Sequence, residues 1–214
     1  MQEIRLSHTL PEVFAMRDDL QSEVWQQDVT FLRGKTYLLE ASSGTGKSSL
    51  CSFIYGFRSD YQGIITFDGQ NIRRLGVGDW TRLRQRHISL MFQELRLFPE
   101  LTAIENVLIK NRLTGFKNKK AILQWFDELG ISDKVNSPLR LMSFGQQQRV
   151  AMMRSLVQPF DFLFVDEPIS HLDDQNSRSM ADIMMEEATR QGAAVIATSI
   201  GKHMELHYDQ ILHL

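Results

Sequence analysis

A glycine-containing loop between an apolar strand and a helix constrains this chain more than any other stretch. The strand covers residues 37–39, and residues 40–49 read EASSGTGKSS. Glycines let backbone N–H groups surround an anion, and the positive end of the following helix points at it. In such loops a lysine reaches the terminal phosphates and a hydroxyl coordinates Mg²⁺, roles that suit Lys47 and Ser48. The stretch predicts a polyphosphate site with these ligands: Ser42, Ser43, Gly44, Thr45, Gly46, Lys47, Ser48 and Ser49.

One position departs from the usual phosphate-binding loop (P-loop), which begins with glycine where this chain has Ala41. That position makes a tight turn, so alanine introduces mild strain without preventing the loop. The alternative is a Ser/Gly-rich surface loop before a helix. It is disfavoured because Gly44, Gly46, Lys47 and Ser48 all keep their spacing.

Size and composition limit the classes of protein that remain. A chain of 214 residues suits one α/β domain with a substantial core. The formal net charge of −2 provides no global basic field, so no nucleic-acid partner is expected. The single cysteine, Cys51, excludes an internal disulfide and a four-cysteine zinc site. No span of about 20 apolar residues occurs, so we expect a soluble cytoplasmic chain that does not itself insert into a membrane.

Strand and helix signals alternate along the chain, which predicts a mostly parallel sheet. Predicted strands cover residues 4–6, 23–25, 28–31, 37–39, 64–67, 88–92, 162–165 and 194–198. Predicted helices cover residues 48–55, 104–108, 120–129, 146–157 and 176–189. Basic runs at residues 73–74, 82–86 and 117–120 are interpreted as solvated faces.

Two carboxylates follow the apolar run at residues 162–165. In an α/β sheet, ligands bind at the carboxyl ends of the strands. Asp166 is suited to hold Mg²⁺ through water, and Glu167 to polarise an attacking water. An apolar run ending in Asp-Glu is a weak signal by itself, but it becomes strong in a chain that also carries a P-loop.

A second polar loop opens a helix at residues 141–149, which read LMSFGQQQR. It also offers a hydroxyl, backbone N–H groups and a helix N-terminus to an anion. A single subunit does not need two such anion-binding sites for one γ-phosphate. The second site is explained if two chains share the phosphate.

This segment resembles the LSGGQ signature of ABC (ATP-binding cassette) ATPases, and the resemblance covers essentially the whole chain. The P-loop, Gln93, residues 143–147, the pair Asp166-Glu167 and the SHLD loop at residues 170–173 follow the order found in that family. The resemblance implies a single ABC-type domain over residues 1–214. We expect an α/β P-loop NTPase core with a mostly parallel sheet, an N-terminal antiparallel β portion and a helical subdomain at roughly residues 94–142.

The resemblance also implies a head-to-tail dimer, homomeric or heteromeric, with two ATP molecules between the P-loop of one subunit and the signature of the other. Ser143, Gly145 and Gln146 would then contact the ATP of the partner. Asp173 would lie at the dimer seam.

Further residue roles follow from the resemblance. Mg²⁺ would be bound near Ser48, Gln93 and Asp166, with Gln93 sensing metal and nucleotide for a membrane partner. Phe14 either stacks on adenine or packs in the core, and both interpretations stay open.

Residues 92–107 resemble the branch of lipoprotein-release, macrolide-export and cell-division cassettes. That branch implies a separate integral-membrane permease, which would hold this chain peripherally on the inner face of the cell membrane. The exposed part of residues 95–101 is expected to form a groove for a permease helix.

The chain departs from the family at two further positions. Phe144 replaces the first signature glycine, so its ring must point away from phosphate, while Ser143 and the Gly145 N–H remain available. Ser199 stands where the family places a histidine that contacts the γ-phosphate, and a serine retains at best a water-bridged contact. Loss of such a contact lowers the rate by about 10²-fold or more and leaves binding nearly intact. His203 is expected to be a surface residue.

These sequence features suggest three functions for the chain. The first is an ATP-hydrolysing transporter subunit, with Glu167, Gln93 and Ser199 at the catalytic site. The second is a low-turnover regulatory or scaffold module, motivated by Ser199 and Phe144. The third, a DNA-maintenance or translation cassette, is disfavoured because the chain has no room for coiled coils, a zinc module or a second cassette.

Overall fold

The computed structural model describes residues 1–17, 20–169 and 172–214, and its strands form two sheets. The strands are β1 (Glu3–Pro11), β2 (Asp28–Leu32), β3 (Thr36–Glu40), β4 (Tyr61–Phe67), β5 (Gln70–Asn71), β6 (Ile88–Met91), β7 (Phe162–Asp166), β8 (Ala194–Ser199) and β9 (Gln210–His213). The helices are α1 (Lys47–Ile54), α2 (Val77–Arg86), α3 (Ala103–Asn111), α4 (Lys119–Glu128), α5 (Phe144–Leu156) and α6 (Asp174–Gln191).

The first sheet is antiparallel and has the strand order β2-β1-β4-β5. On β1, Ile4 and Leu6 are fully buried while Arg5 between them is exposed, the alternation of a strand with one face on the core. Ile4 pairs with Phe31 on one side and with Phe67 on the other. The β portion predicted at the N-terminal end thus continues into β4 and β5.

The second sheet is parallel, in the order β6-β7-β8-β3-β9. Every residue of β7 and β8 is buried, because helices and the first sheet cover both faces. The P-loop follows β3, Asp166 ends β7 with Glu167 directly after it, and Ser199 ends β8. All three therefore meet at the carboxyl edge of one sheet.

Residues 94–142 contain α3, α4 and short 3₁₀ turns. Trp125 and Phe126 of α4 share a hydrophobic cluster with Val150 of α5 and Leu163 of β7. The helical segment therefore packs onto the core that supports the parallel sheet.

A buried ion pair joins this helical segment to α6. The Lys117 ammonium lies 2.5 Å from the Glu187 carboxylate, and 4.6 Å from the ring centroid of Trp125. Arg190 and Gln191 also donate to Glu187, so that carboxylate accepts from three side chains.

The structure corrects three secondary-structure expectations. The predicted strand at residues 23–25 is wrong: these residues form bends and a turn, in which Ser22 Oγ accepts from the Val24 and Trp25 N–H groups. Helix α2 was missed because its basic run was interpreted only as a solvated face, and none of its residues is fully buried. The edge strand β9 was also missed.

Candidate functional site

A cavity of about 430 Å³ opens at the carboxyl edge of the parallel sheet. It is lined by Val13, Phe14, Arg17, Ser43, Gly44, Gly46, Lys47, Ser48, Ser49, Gln93, Glu167 and Ile200. The P-loop, the glutamine after β6 and the second carboxylate after β7 thus face one space.

The P-loop conformation requires glycine at Gly44 and Gly46, whose φ angles are +81° and +98°. A Cβ at Gly44 would meet open space, whereas one at Gly46 would lie 3.0 Å from carbons of Phe14 and Trp25. Trp25 also donates from Nε1 to the Thr45 carbonyl at 2.8 Å. The aromatic residues beneath the loop therefore fix the start of α1.

Lys47 is the first residue of α1, and its side chain is only 5% exposed. Its ammonium donates to the Ser42 carbonyl at 2.9 Å and to the Ala41 carbonyl at 3.3 Å, and lies 3.8 Å from Glu167 Oε1. Burial lowers the pKa of Lys47, while Glu167 and Asp166 act in the opposite direction. The ammonium is directed at the cavity that phosphate oxygens would enter.

Thr198 connects the two carboxylate residues. Its hydroxyl donates to Asp166 Oδ1 at 2.6 Å and accepts from the Glu167 N–H at 3.1 Å. Thr198 lies on β8, directly beside Asp166 in the parallel register. The hydroxyl therefore orients Asp166 and fixes the backbone that carries Glu167.

Glu167 itself has a left-handed backbone, with φ of +50°. Such strain in a residue that is not glycine is a feature that concentrates at functional sites. Gln93 Nε2 donates to Glu167 Oε2 at 3.1 Å, and the Glu167 side chain is 12% exposed. Glu167 is thus held between an amide and an ammonium, at the wall of the cavity.

Ser199 is 2% exposed, and its hydroxyl donates to the Lys202 carbonyl at 2.7 Å. Ile200, the next residue, lines the cavity instead. His203 is half-exposed and lies 3.5 Å from Glu40, outside the set of residues that line the cavity.

Phe14 is buried, packs over Gly46 and also contributes to the cavity wall. The guanidinium of Arg17 lies 4.9 Å from the centre of its ring. Val13 is largely exposed beside it. Val13 and Arg17 were not predicted from the sequence, because a valine in a short 3₁₀ turn and an arginine three residues beyond that turn carry no motif.

The signature residues lie elsewhere: Ser143, Gly145 and Gln146 are absent from the lining of the cavity. Ser143 caps α5, since its hydroxyl accepts from the Gln146 N–H while the Gln146 side chain accepts from the Ser143 N–H. Phe144 is half-exposed at the start of the same helix. The helix N-terminus with its hydroxyl is thus presented to the surface.

Asp173 caps α6 by accepting from the Asn176 N–H at 2.8 Å. Hydrogen bonds from Asn176 lower the pKa of Asp173. Arg149 of α5 donates to the side chain of Asn176, which links the start of α6 to the signature helix. Ser170 and His171, the first half of the predicted SHLD loop, lie outside the described residues.

The oxygen donors of Ser48, Gln93 and Asp166 fit a hard cation such as Mg²⁺. Within the described residues, no three His, Cys, Asp or Glu side chains converge as a metal cage. Mg²⁺ is usually bound through phosphates and water, with one or two protein ligands.

None of the helices in residues 1–17, 20–169 and 172–214 is both long and apolar enough to cross a membrane.

Residues 25–170 match the sequence profile of the family described as ABC transporter. The uncharacterized ABC transporter ATP-binding protein YclH of Bacillus subtilis is 31% identical over 79% of this chain and 75% of its own length. The lipoprotein-releasing system ATP-binding protein LolD of Bacteroides fragilis is 27% identical over 87% of this chain and 88% of its own. These relatives confirm the predicted resemblance and its branch.

Among solved structures, the dimeric structure of MJ0796, a bacterial ABC transporter cassette, has a TM-score of 0.75 at 22% identity. The match covers 92% of this chain and 87% of that one. The predicted fold class is therefore confirmed.

Proposed function

The chain belongs to the ABC transporter family as a subunit that binds and hydrolyses ATP, and we propose the residues that do so. The P-loop from Ser42 to Ser49 holds the phosphates through its N–H groups and the positive end of α1. Lys47 neutralises charge on the terminal phosphates. When bound, Mg²⁺ would supply further neutralisation of phosphate charge near Ser48, Gln93 and Asp166.

Glu167 is proposed as the general base. It takes a proton from, or polarises, the water that attacks the γ-phosphorus, while the ADP oxygen leaves on the opposite side. Gln93 and the left-handed backbone at residue 167 orient the carboxylate. The observation that carries this proposal is the placement of Glu167, 3.8 Å from the P-loop lysine and hydrogen-bonded to Gln93, in the wall of the same cavity.

A second ATP-binding subunit completes the site in this proposal. The signature hydroxyl of Ser143 and the N-terminus of α5 are exposed and do not line the cavity of their own chain. A head-to-tail dimer brings them to the nucleotide of the partner, with Gly145 and Gln146, and places Asp173 near the seam. The working dimer can be homomeric or heteromeric. We further propose that residues 1–214 form one such domain, with residues 94–142 as its helical subdomain.

The proposed contact with a membrane permease is a groove of about 270 Å³. Phe57, Phe98 and Ile109 are each more than a third exposed, and all three line it. Exposed apolar side chains grouped in one groove indicate a protein-binding site. The groove includes Phe98 from the predicted segment 95–101, together with parts of α3 and α5. Through the permease, the chain would lie at the inner face of the cell membrane.

The groove is also electropositive. Lys110 and Arg154 line it, and within the described residues no Asp or Glu does. Burial and the neighbouring Arg154 and Arg84 lower the pKa of Lys110 to about 8. A permease segment with apolar and acidic side chains therefore fits this surface.

The low-turnover alternative is not favoured. Glu167 keeps its hydrogen bond to Gln93 and its position beside Lys47 despite the serine at position 199.

The direct test is phosphate release from MgATP by the parent chain, Glu167→Gln and Ser199→His. We expect Glu167→Gln to lose about 10²-fold or more in rate while still binding ATP. The rate of phosphate release by Ser199→His, compared with the parent, measures how far the serine at position 199 lowers hydrolysis. Equal hydrolysis in the parent and Glu167→Gln would refute the assignment of the base.

The permease contact is tested by co-purification from the native host. Lys110→Glu is expected to abolish recovery of a membrane protein with the chain, and the exposed Lys120→Glu to leave it unchanged. Recovery that is equal in both variants would exclude the groove.

A further inference from the structure

Two neighbouring residues, Leu95 and Arg96, both have a left-handed backbone, with φ of +58° and +47°. They are called here the left-handed pair, and the described part of the chain has no other two consecutive non-glycine residues in that conformation. Each such residue costs free energy, so a pair persists only where its surroundings hold it. Leu95 is 3% exposed and packs in the hydrophobic cluster, whereas Arg96 is exposed. Burial therefore holds only the first residue of the pair.

The guanidinium of Arg154, on α5, holds the backbone of both residues. Its Nη1 donates to the Arg96 carbonyl at 2.7 Å, and its Nη2 donates to the Leu95 carbonyl at 2.5 Å. Burial lowers the pKa of Arg154 to about 10, so this cation is largely removed from water. A buried cation needs hydrogen-bond acceptors, and the two carbonyls of the left-handed pair supply them.

The left-handed pair adjoins the turn that carries Gln93. The Leu95 N–H donates to the Phe92 carbonyl at 3.0 Å. This hydrogen bond closes a β-turn whose central residues are Gln93 and Glu94. Gln93 Nε2 in turn donates to Glu167 Oε2 at 3.1 Å. A change in the backbone at residue 95 would therefore change the direction in which the Gln93 side chain points.

We propose that Arg154 is a positioning residue for ATP hydrolysis: by holding the left-handed pair, it keeps Gln93 against the Glu167 carboxylate. This role rests on the proposed function of Gln93 and Glu167. Arg154 lies outside the lining of the nucleotide cavity and instead lines the groove proposed for the permease. A permease segment seated in that groove would thus contact the side chain that holds Gln93 in place.

The test is the rate of phosphate release by the full chain at saturating MgATP, divided by the amount of ATP bound. Arg154→Met should lower kcat by about tenfold or more, because Gln93 no longer orients Glu167. The KM for ATP should stay within about threefold of the parent, since Arg154 does not reach the nucleotide.

Arg84→Met is the matched control. The Arg84 guanidinium also donates to two backbone carbonyls, those of Tyr55 and Gly56, at 3.0 Å each. Its removal should lower the temperature of unfolding about as much as Arg154→Met does, but should leave kcat within about threefold of the parent. Thermal unfolding of both variants checks that their stabilities are comparable.

A glycine at position 96 offers a rescue that a purely structural arginine would not allow. Glycine adopts a left-handed backbone without the steric cost of a side chain, so the turn should form without the guanidinium. Arg96→Gly combined with Arg154→Met should therefore raise kcat several-fold above that of Arg154→Met. Glu94→Gly in the same background should not raise it, because the φ of Glu94 is not positive.

Gln93→Ala tests whether Arg154 acts through Gln93. In the Gln93→Ala background, Arg154→Met should lower kcat by no more than about twofold, because the side chain that it positions is absent. If the two losses multiply instead, Arg154 acts independently of Gln93 and the proposal is overturned.

Two further outcomes would overturn the proposal: an equal loss of kcat in Arg154→Met and Arg84→Met, or no rescue by Arg96→Gly. If Arg154→Met does not fold, Arg154→Lys takes its place. An ammonium lacks the two arms of the guanidinium, so kcat should fall several-fold, and an unchanged kcat would overturn the proposal.

Glu167→Gln, measured in the same series, separates this proposal from the assignment of the general base. An active Glu167→Gln would refute the base. An inactive Glu167→Gln beside a fully active Arg154→Met would overturn only the role of Arg154.

Discussion

Thr198 is a positioning residue for both carboxylates of the site. It is buried and bonded to Asp166 and to the N–H of Glu167. Thr198→Val keeps the shape but leaves both groups unpaired, so the free energy of unfolding should fall by about 1–3 kcal/mol. Because Glu167 is then less well placed, ATP hydrolysis should fall by about tenfold or more. Urea unfolding and phosphate release measure the two effects separately.

Thr198→Ser keeps the hydroxyl and should restore most of the activity. Ser199→Ala is the neighbouring control: its hydroxyl bonds to the Lys202 carbonyl, so hydrolysis should stay within about threefold of the parent. A Thr198→Val variant that is less stable but hydrolyses at the parental rate would make Thr198 purely structural. A large loss in Ser199→Ala would place that hydroxyl at the nucleotide.

For individual residues, the sequence predicts those that belong to one motif within a few consecutive positions. The order of Gly44, Gly46 and Lys47 within one loop was enough to predict a shared site. The role of Trp25 was not predictable, because its indole reaches Thr45 across a tertiary contact, 20 positions away in the chain. For the same reason, the sequence does not distinguish between an adenine-stacking role and a core position for Phe14.

Among the elements, the contact of the helical segment with α6 depends on the buried pair Lys117–Glu187. Glu187→Leu leaves the Lys117 ammonium buried without its carboxylate, which should lower the free energy of unfolding by about 3–5 kcal/mol. The exposed Glu186→Gln on the same helix should change it by about 0.5 kcal/mol or less. Urea denaturation measures the free energy of unfolding of both variants. Equally small losses in the two would show that the Lys117–Glu187 pair contributes little to stability.

Lys110 of helix α3 makes the free energy of unfolding depend on pH. Its pKa in the folded chain is about 8, below the usual value of about 10.4 in an unfolded chain. The folded state therefore releases this proton first, and the free energy of unfolding should rise from about pH 8 to about pH 10. Lys110→Met should lack that rise, whereas the exposed Lys120→Met should keep it. Urea unfolding at several pH values in this range measures the rise in the free energy of unfolding. If this free energy depends on pH in the same way in the parent and in Lys110→Met, the prediction is contradicted.

The elements that sequence patterns identified are those with a buried face. Strand β7 begins with the apolar run at residues 162–165 and β8 with the one at residues 194–197, and α4 places Ile122, Trp125 and Phe126 at helical spacing. Helix α2 escaped because its residues are mostly polar and only half-buried, so no apolar stripe marks it. Its Arg84 instead donates to the Tyr55 and Gly56 carbonyls, and such contacts leave no periodic signal.

For the whole molecule, the exposed signature predicts ATP-dependent association. In MgATP, Glu167→Gln should form a dimer, since bound ATP is not consumed. Adding Ser143→Arg should prevent the dimer while ATP still binds, because in the proposed head-to-tail dimer the arginine would occupy the surface that faces the nucleotide of the partner. Light scattering after gel filtration measures the mass. Ser132→Arg, at an exposed turn, is the matched control, and a dimer that persists with Ser143→Arg would refute the head-to-tail arrangement.

The place of β8 in the parallel sheet has a consequence for hydrogen exchange. It lies between β7 and β3, and all six of its residues are buried. Its amide protons should therefore exchange with solvent only when the whole chain unfolds, and so report global stability. The P-loop and the turn after Ser199, which lie beyond the ends of the strands, should exchange faster and become protected when nucleotide binds. One exchange experiment would thus measure the global stability of the chain at β8 and the binding of nucleotide at the P-loop.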